Sequence, residues 1–213
     1  MNKHLSPIDE AIINFDRGLR TLFGKPDITE RPNPAEQADE IELSKKEQKL
    51  SASLMRVNHA GEIAAQALYQ GQALTAKSNV VKKQMQRSAQ EEYDHLDWCE
   101  KRVKALHSHT SLLNPIWYTG SLAIGALAGA AGDKWSLGFV EETEKQVGKH
   151  LEKHLDLLPK KDDKSRAVLQ QMKIDEADHA QKAKQAGAAE LPLPIKKMMQ
   201  LTSKVMTKTA KII

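Results

Sequence analysis

The chain has 213 residues, 40% of them hydrophobic and 4% aromatic, and a formal net charge of +4. That length allows one sizeable core, and the abundance of Ala, Leu, Lys, Gln and Glu favours helices over strands. One cysteine, Cys99, and the lack of a charged-then-apolar leader argue against disulfides and secretion, so the cell interior is expected.

In chain order, Ser6, Pro7 and Asp9 announce a helix. Ile8, Ile12, Phe15, Leu19 and Leu22 recur at helical spacing, and Gly24 followed by Pro26 ends the run, giving an amphipathic first helix. Pro26, Pro32 and Pro34 among charges make a linker of residues 24–43. Ser44 and Glu47 then form a capping box that opens a helix running to about Lys77. After a turn near Ser78 and Asn79, Val81, Met85, Glu92, His95, Cys99 and Leu106 mark the seam of the next helix. His107 and His109 near its end are expected to cap carbonyls, and Cys99 to serve packing.

Residues 110–132 carry no charge and include Pro115, Trp117, Gly120, Gly125 and Gly129. A transmembrane span fits by length, but Pro115 and the weakly apolar Ala, Gly, Ser and Thr content count against it. A crossover packed within the protein is favoured, and a lipid-facing or ligand-facing surface can coexist with it. Leu137, Val140, Glu144, Val147, Leu151 and Leu158 share the face of a third long helix, from which Glu142 falls away. A fourth starts at about Ser165, with Leu169, Met172, Glu176, His179 and Ala183 in line. Pro192 and Pro194 introduce a last helix with Ile195, Met198, Met199, Val205, Met206 and Ile212 on one side. After Glu190 come Lys196, Lys197, Lys204, Lys208 and Lys211 with no acid, which suits a membrane-surface helix or a basic helix packed on the bundle equally. No arginine-rich or aromatic-interleaved stripe accompanies these lysines, so nucleic acid is not expected as a partner.

Across these helices one pattern occurs twice: a lone glutamate, then Glu-x-x-His. Glu62 precedes Glu92 of the pair Glu92 and His95 by 30 residues, and Glu144 precedes Glu176 of the pair Glu176 and His179 by 32, which reads as a duplicated helical hairpin. Residues three apart share a helix face, so each Glu-x-x-His can chelate one ion from a single turn, and the lone glutamates can bridge or complete the coordination. Bare carboxylates on apolar stripes are costly, and two divalent cations would neutralise the four of them. Mixed carboxylate and imidazole ligation suits iron or manganese. The ligand set is the one that ferritin-like di-iron and di-manganese carboxylate bundles present. The fold expected is all-α: a ferritin-like four-helix bundle with a long apolar crossover between its second and third helices, plus amphipathic helices at both ends. Its parts are residues 1–43 (first helix and linker), 44–190 (the bundle) and 191–213 (basic amphipathic helix), all one domain.

The segments Arg56-Val-Asn-His-Ala-Gly-Glu62, Tyr69-Gln-Gly-Gln-Ala, Glu92-Tyr-Asp-His95, Val140-Glu-Glu-Thr-Glu144 and Asp175-Glu-Ala-Asp-His179 resemble the demethoxyubiquinone hydroxylase family. So do Leu19-Arg-Thr-Leu-Phe-Gly24 and Ser203-Lys-Val-Met-Thr-Lys-Thr-Ala210, which look like bacterial members. The resemblance implies a di-iron monooxygenase that uses O2 to hydroxylate the ring of a polyprenylated methoxy-methyl-benzoquinol in ubiquinone biosynthesis. It makes Glu62, Glu92, His95, Glu144, Glu176 and His179 the ligands of two iron ions per chain. It also implies a place at the periphery of the cytoplasmic face of a bacterial inner membrane, and other ubiquinone-biosynthesis proteins as partners. Asn58 stands where some members carry an acid, with an effect on hydrogen bonding around the ligands.

Asp94, Asp175 and Asp178 are candidates for orienting the ligand imidazoles. His150 and Tyr69 are candidates for touching substrate or carrying electrons, with core packing the commoner role for Tyr69. The rivals are an iron store, a rubrerythrin-like peroxidase, for which no cysteine cluster is present, and a hydroxylase of a modified RNA base.

Overall fold

The computed structural model describes residues 6–24, 28, 29 and 31–213, and among them the chain is helical without a strand. Helix α1 (Pro7–Phe23) is followed by a short 3-10 turn (Pro34–Gln37) and then by α2 (Lys45–Thr75) and α3 (Asn79–Ala105). Next come α4 (Asn114–Ala130), α5 (Asp133–Leu157), α6 (Asp163–Gln185) and α7 (Leu193–Ala210). Ser6 with Asp9, and Ser44 with Glu47, form reciprocal capping boxes, so both helices start where their side chains satisfy the first free N–H groups. Gly24 caps α1 as expected, while Pro26 lies outside the described residues.

Helices α2 and α3 form one antiparallel hairpin and α5 and α6 a second, and the two pack into a four-helix bundle. The charge-free segment is not a loop. It folds as α4, which runs alongside α2 from the Asn114–His59 contact to the hydrogen bond that Thr75 Oγ1 donates to the Ala126 carbonyl. Asp133 then accepts from the backbone N–H groups of Lys77 and Ser78, so α5 starts at the far end of the bundle and returns antiparallel to α2. Among the described residues no helix is long and apolar enough to cross a membrane, which removes the spanning reading of this segment.

Glycines let α4 lie close to α2. A Cβ on Gly71 would collide with the Leu122 carbonyl oxygen, and one on Gly125 with the Leu68 carbonyl oxygen. Among the described residues, two of the apolar clusters lie at opposite ends of the bundle. One gathers Leu54, Met55, Trp98, Val103, Leu151 and Leu169, and the other Tyr69, Val81, Met85, Leu137, Val140 and Ala183. The repeated acids lie between them along every helix.

The part of the linker from Arg31 onward makes specific contacts with the bundle. Asn33 caps the 3-10 turn, Ala35 enters the first core, and buried Arg102 binds Glu40, Asp162 and Ser165. At the end of α3 the expected histidine side-chain caps are not found. His107 instead takes a positive φ of 55°, and its N–H and that of Ser108 bond back to Lys104 and Val103.

Because overpacking a tight interface costs about 1–3 kcal/mol, Gly71→Ala and Gly125→Ala should each lower unfolding free energy by about that amount. Urea unfolding monitored by circular dichroism measures it, and a Gly120→Ala control, where a Cβ meets nothing within 4 Å, should stay near the parent.

Candidate metal centre

Glu62 on α2, Glu92 and His95 on α3, Glu144 on α5, and Glu176 and His179 on α6 are all 0–3% exposed. The three-residue spacing turns Glu92 and His95, and likewise Glu176 and His179, inward from single helical turns. Ligand atoms of Glu62, Glu92, His95 and Glu176 all lie within 4.8 Å of one another. His95 Nδ1 is 3.3 Å from Glu92 Oε2, 3.2 Å from Glu176 Oε1 and 3.6 Å from Glu62 Oε2. His179 Nδ1 is 3.2 Å from Glu92 Oε1 and 3.1 Å from Glu176 Oε2. Glu92 and Glu176 therefore each turn one oxygen towards either imidazole, the arrangement of a bridging pair. Glu62 stands on the His95 side; Glu144 accepts a 2.5 Å hydrogen bond from Tyr69, whose ring packs edge-on to His179.

Glu144 is the acid of its helix that stands at the cluster. Glu141 pairs with Lys145, and Glu142 bonds Gln146 and approaches Lys196, both away from the cluster.

Each imidazole presents Nδ1 to the cluster and Nε2 to an acid on the opposite hairpin. His95 Nε2 meets Asp175 Oδ2 at 2.8 Å, and His179 Nε2 meets Glu91 Oε2 at 2.7 Å. Of the three aspartates expected to orient imidazoles, Asp175 does so. Asp94 instead accepts from Thr29 and Arg31, and exposed Asp178 pairs with Lys182. Glu91 is not among the expected residues, although the duplication signals it: Glu91 precedes Glu92 as Asp175 precedes Glu176. Asn58 bonds His154 Nδ1 at 2.9 Å, and Cys99 packs against Met172.

The donor set fits a metal on two counts. Glu62 Oε2 and Glu92 Oε1 are buried and accept no hydrogen bond. The cluster also sets four acids against two imidazoles. Burial, opposed by His95 and reinforced by Glu92 and Glu176, pushes the Glu62 carboxyl well above its usual range. Burial, Glu176 and Glu92 do the same to Glu144. Burial alone would lower the His95 pKa, but Asp175, Glu176, Glu62 and Glu92 raise it well above the ordinary value. His179 is likewise raised by Glu176, Glu91 and Glu92 against its burial. The outer acids are held low, at about 2: Glu91 by its bond to His179, and Asp175, against its own burial, by His95.

A largely apolar cavity of about 320 Å³ reaches the cluster at Glu62. It runs between α2, α4, α5 and α7, lined by residues such as Ala65, Leu68, Ile124, Phe139, Met199 and Met206. His150 faces it, its ring centroid 3.9 Å from that of His154 with the planes tilted by 55°. His150 Nε2, Trp117 Nε1 and Asn58 Nδ2 are buried at its wall without hydrogen-bond partners. No described residue of α1 lines this cavity.

Residues 49–210 match the family model described as ubiquinone biosynthesis protein COQ7. A 3-demethoxyubiquinol 3-hydroxylase of Nitrosococcus oceani is 60% identical over 208 residues, covering 98% of this chain and 97% of its own. Its namesake in Polynucleobacter necessarius is 56% identical, covering 97% of this chain and 99% of its own. Among solved structures, a dodecameric thioferritin, the bacterioferritin-related protein of Bacteroides fragilis, aligns with a TM-score of 0.52 at 18% identity over 67% of this chain and 85% of its own. That likeness shows a ferritin-like fold.

The raised groups fix a pH response for protein stripped of metal. His95 and His179 contribute stability that is fully present below the unfolded value near 6.5 and lost as pH rises through the raised folded values. Glu62 and Glu144, raised from 4.5, act in the same direction. Glu92, Glu91 and Asp175, all lowered, act only in acid, below about 4.5. Stripped protein should therefore lose unfolding free energy between about pH 6.5 and 9, whereas Fe(II) should bind more tightly over that range because it displaces these protons. Denaturant titrations at several pH values test this, and a stripped chain that gains stability across the window contradicts the arrangement.

Proposed function

The chain belongs to the ubiquinone biosynthesis protein COQ7 family, and from that membership we propose that it is a di-iron monooxygenase of a polyprenylated demethoxyubiquinol. The reaction is insertion of one atom of O2 into a ring C–H bond. Two electrons and two protons carry the second atom to water. The observation that carries this reading is the junction at Glu62 between the buried Glu/His cluster and an apolar cavity. An iron store has no need for an apolar cavity opening onto its ligands, and the relatives named as hydroxylases match nearly the whole chain.

Glu62, Glu92 and His95 with Glu176 would hold one iron, and Glu144, Glu176 and His179 with Glu92 the other, with Glu92 and Glu176 between them. When bound, the iron pair supplies the activation of O2. The two apolar cores exclude water from the centre, and Asp175 and Glu91 fix each imidazole with Nδ1 inward. Tyr69 holds Glu144 in place. In the cavity, the unpartnered atoms of His150, Trp117 and Asn58 are suited to the ring oxygens of a quinol, while Leu68, Ile124 and the methionines of α7 suit its prenyl tail.

The reading extends to the periphery of the cytoplasmic face of a bacterial inner membrane, where a prenylated substrate resides. Support comes from apolar residues that face outward: Ile8, Ile12, Phe15 and Leu19 on α1, Leu127 on α4, and Leu201 and Val205 on α7 beside its lysines. Other proteins of ubiquinone biosynthesis are its proposed partners at that surface.

Purified protein loaded with Fe(II) and given a reductant, a demethoxyquinol and labelled O2 should yield product carrying one labelled atom; label entering only from water refutes the monooxygenase assignment. Ala65→Phe, which narrows the cavity beside Glu62, should reduce kcat/KM for a long-tailed quinol by about tenfold or more and leave iron uptake unchanged. Turnover of the long-tailed quinol equal to the parent's by that variant would place the substrate elsewhere.

A further inference from the structure

The two halves of the centre share a ligand pattern but not their surroundings. Behind His95, Asp175 Oδ2 accepts from His95 Nε2 and from Arg31 Nη1, each at 2.8 Å, while Gln171 binds Asp175 Oδ1. Arg31 comes from the segment before the 3-10 turn, not from the bundle. Its Nε bonds Asp94 Oδ2 at 2.7 Å, and Asp94 also accepts from the Thr29 N–H and hydroxyl. The guanidinium lies 5.0 Å from the Trp98 ring centroid, and that ring is 5.4 Å from the His95 ring. Arg31, Trp98, His95 and Asp175 thus close a circuit in which every member is held from two sides.

Behind His179 there is no comparable closure among the described residues. Glu91 is held by Arg87 from its own helix, with Arg87 70% exposed, and by Lys182 at 4.0 Å. Exposed pairs of that kind contribute little. A planar guanidinium bridging two largely buried carboxylates is geometrically selective, and an ammonium cannot reproduce it.

We propose that Arg31 is a positioning residue for the His95 half of the centre, fixing that imidazole through Asp175 and Trp98 and making the two metal positions inequivalent. The inference rests on the reading of the cluster as a two-iron site. Arg31 touches none of the six candidate ligands directly, so its effect passes through the imidazole's orientation. Loss of a residue that orients a ligand from outside typically costs a site about tenfold to a hundredfold in metal affinity.

The test uses the full chain with Fe(II) alone, titrated against a competing chelator under anaerobic conditions, with Mössbauer spectra of the loaded protein. Wild type should bind two ions with distinguishable spectra. Arg31→Ala should weaken one ion by about tenfold or more and alter one of the two spectral components, while the melting curve of the stripped chain retains one cooperative transition. Arg31→Lys should restore little, Asp175→Asn should reproduce the loss at the same component, and combining Arg31→Ala with Asp175→Asn should add little to either. Lys173→Ala, which removes a surface pair with Glu152, serves as the control and should change nothing. If Arg31→Ala lowers stripped-chain stability yet leaves both affinities and both spectra as in wild type, the residue only straps the fold and the proposal is overturned. Wild-type protein that takes up no iron would instead overturn the two-iron reading beneath it.

Discussion

Four carboxylates held between two apolar cores, far from water, are the constraint to which the rest of this structure answers. An isolated buried carboxylate costs several kcal/mol even after relaxation, about the whole margin of a typical domain. The chain offsets part of that with two imidazoles, each raised in pKa by the acids around it, and with outer partners on their far nitrogens. A bound cation would offset the remainder. Placing the acid layer between Leu54, Met55 and Leu169 at one end and Met85, Leu137 and Ala183 at the other lets ordinary hydrophobic packing carry the cost of the middle.

The crossover solves a second problem. After α3 the chain must reach the opposite end of the bundle so that the second hairpin meets the first with its glutamates level with theirs. A solvated loop of that length would leave the face of α2 bare. As an apolar helix seated on glycines, α4 covers α2 and also supplies Ile124 and Trp117 to the cavity wall. Its Gly and Ala content thus answers to close backbone approach, which explains a composition too weakly apolar for a bilayer.

Much of this was legible in the residues because it is periodic. Glu92 and His95 fall on a helix seam, Glu176 and His179 repeat them, and Glu144 could be separated from Glu142 by its place on the apolar stripe; burial follows those assignments. What was not legible depends on partners distant in sequence. Nothing local marks Asp175 rather than Asp94 as the acid behind an imidazole, since each is beside a repeated ligand pair; the choice is made by which helix faces which. Glu91 could have been found by applying the duplication to neighbours of the ligands as well as to the ligands themselves. Arg31 could not, because its partners lie 63 and 144 residues away and its surroundings read as a proline-rich linker.

Two departures from twofold symmetry, the cavity and the Arg31 circuit, fall on one side. Glu62, the carboxylate that borders the apolar cavity, stands with His95, and His95 is the imidazole enclosed by Arg31, Trp98 and Asp175. A bound ring would therefore approach the half whose histidine is held on all sides, while the His179 half keeps an outer acid tied to exposed Arg87 and Lys182. Reaction at a ring carbon demands that the reacting groups be held in close register, and a misplacement of about 1 Å is costly. A duplicated hairpin supplies both positions from one pattern. Residues outside the duplication, Arg31 before it and the methionines of α7 after it, are what distinguish the two halves.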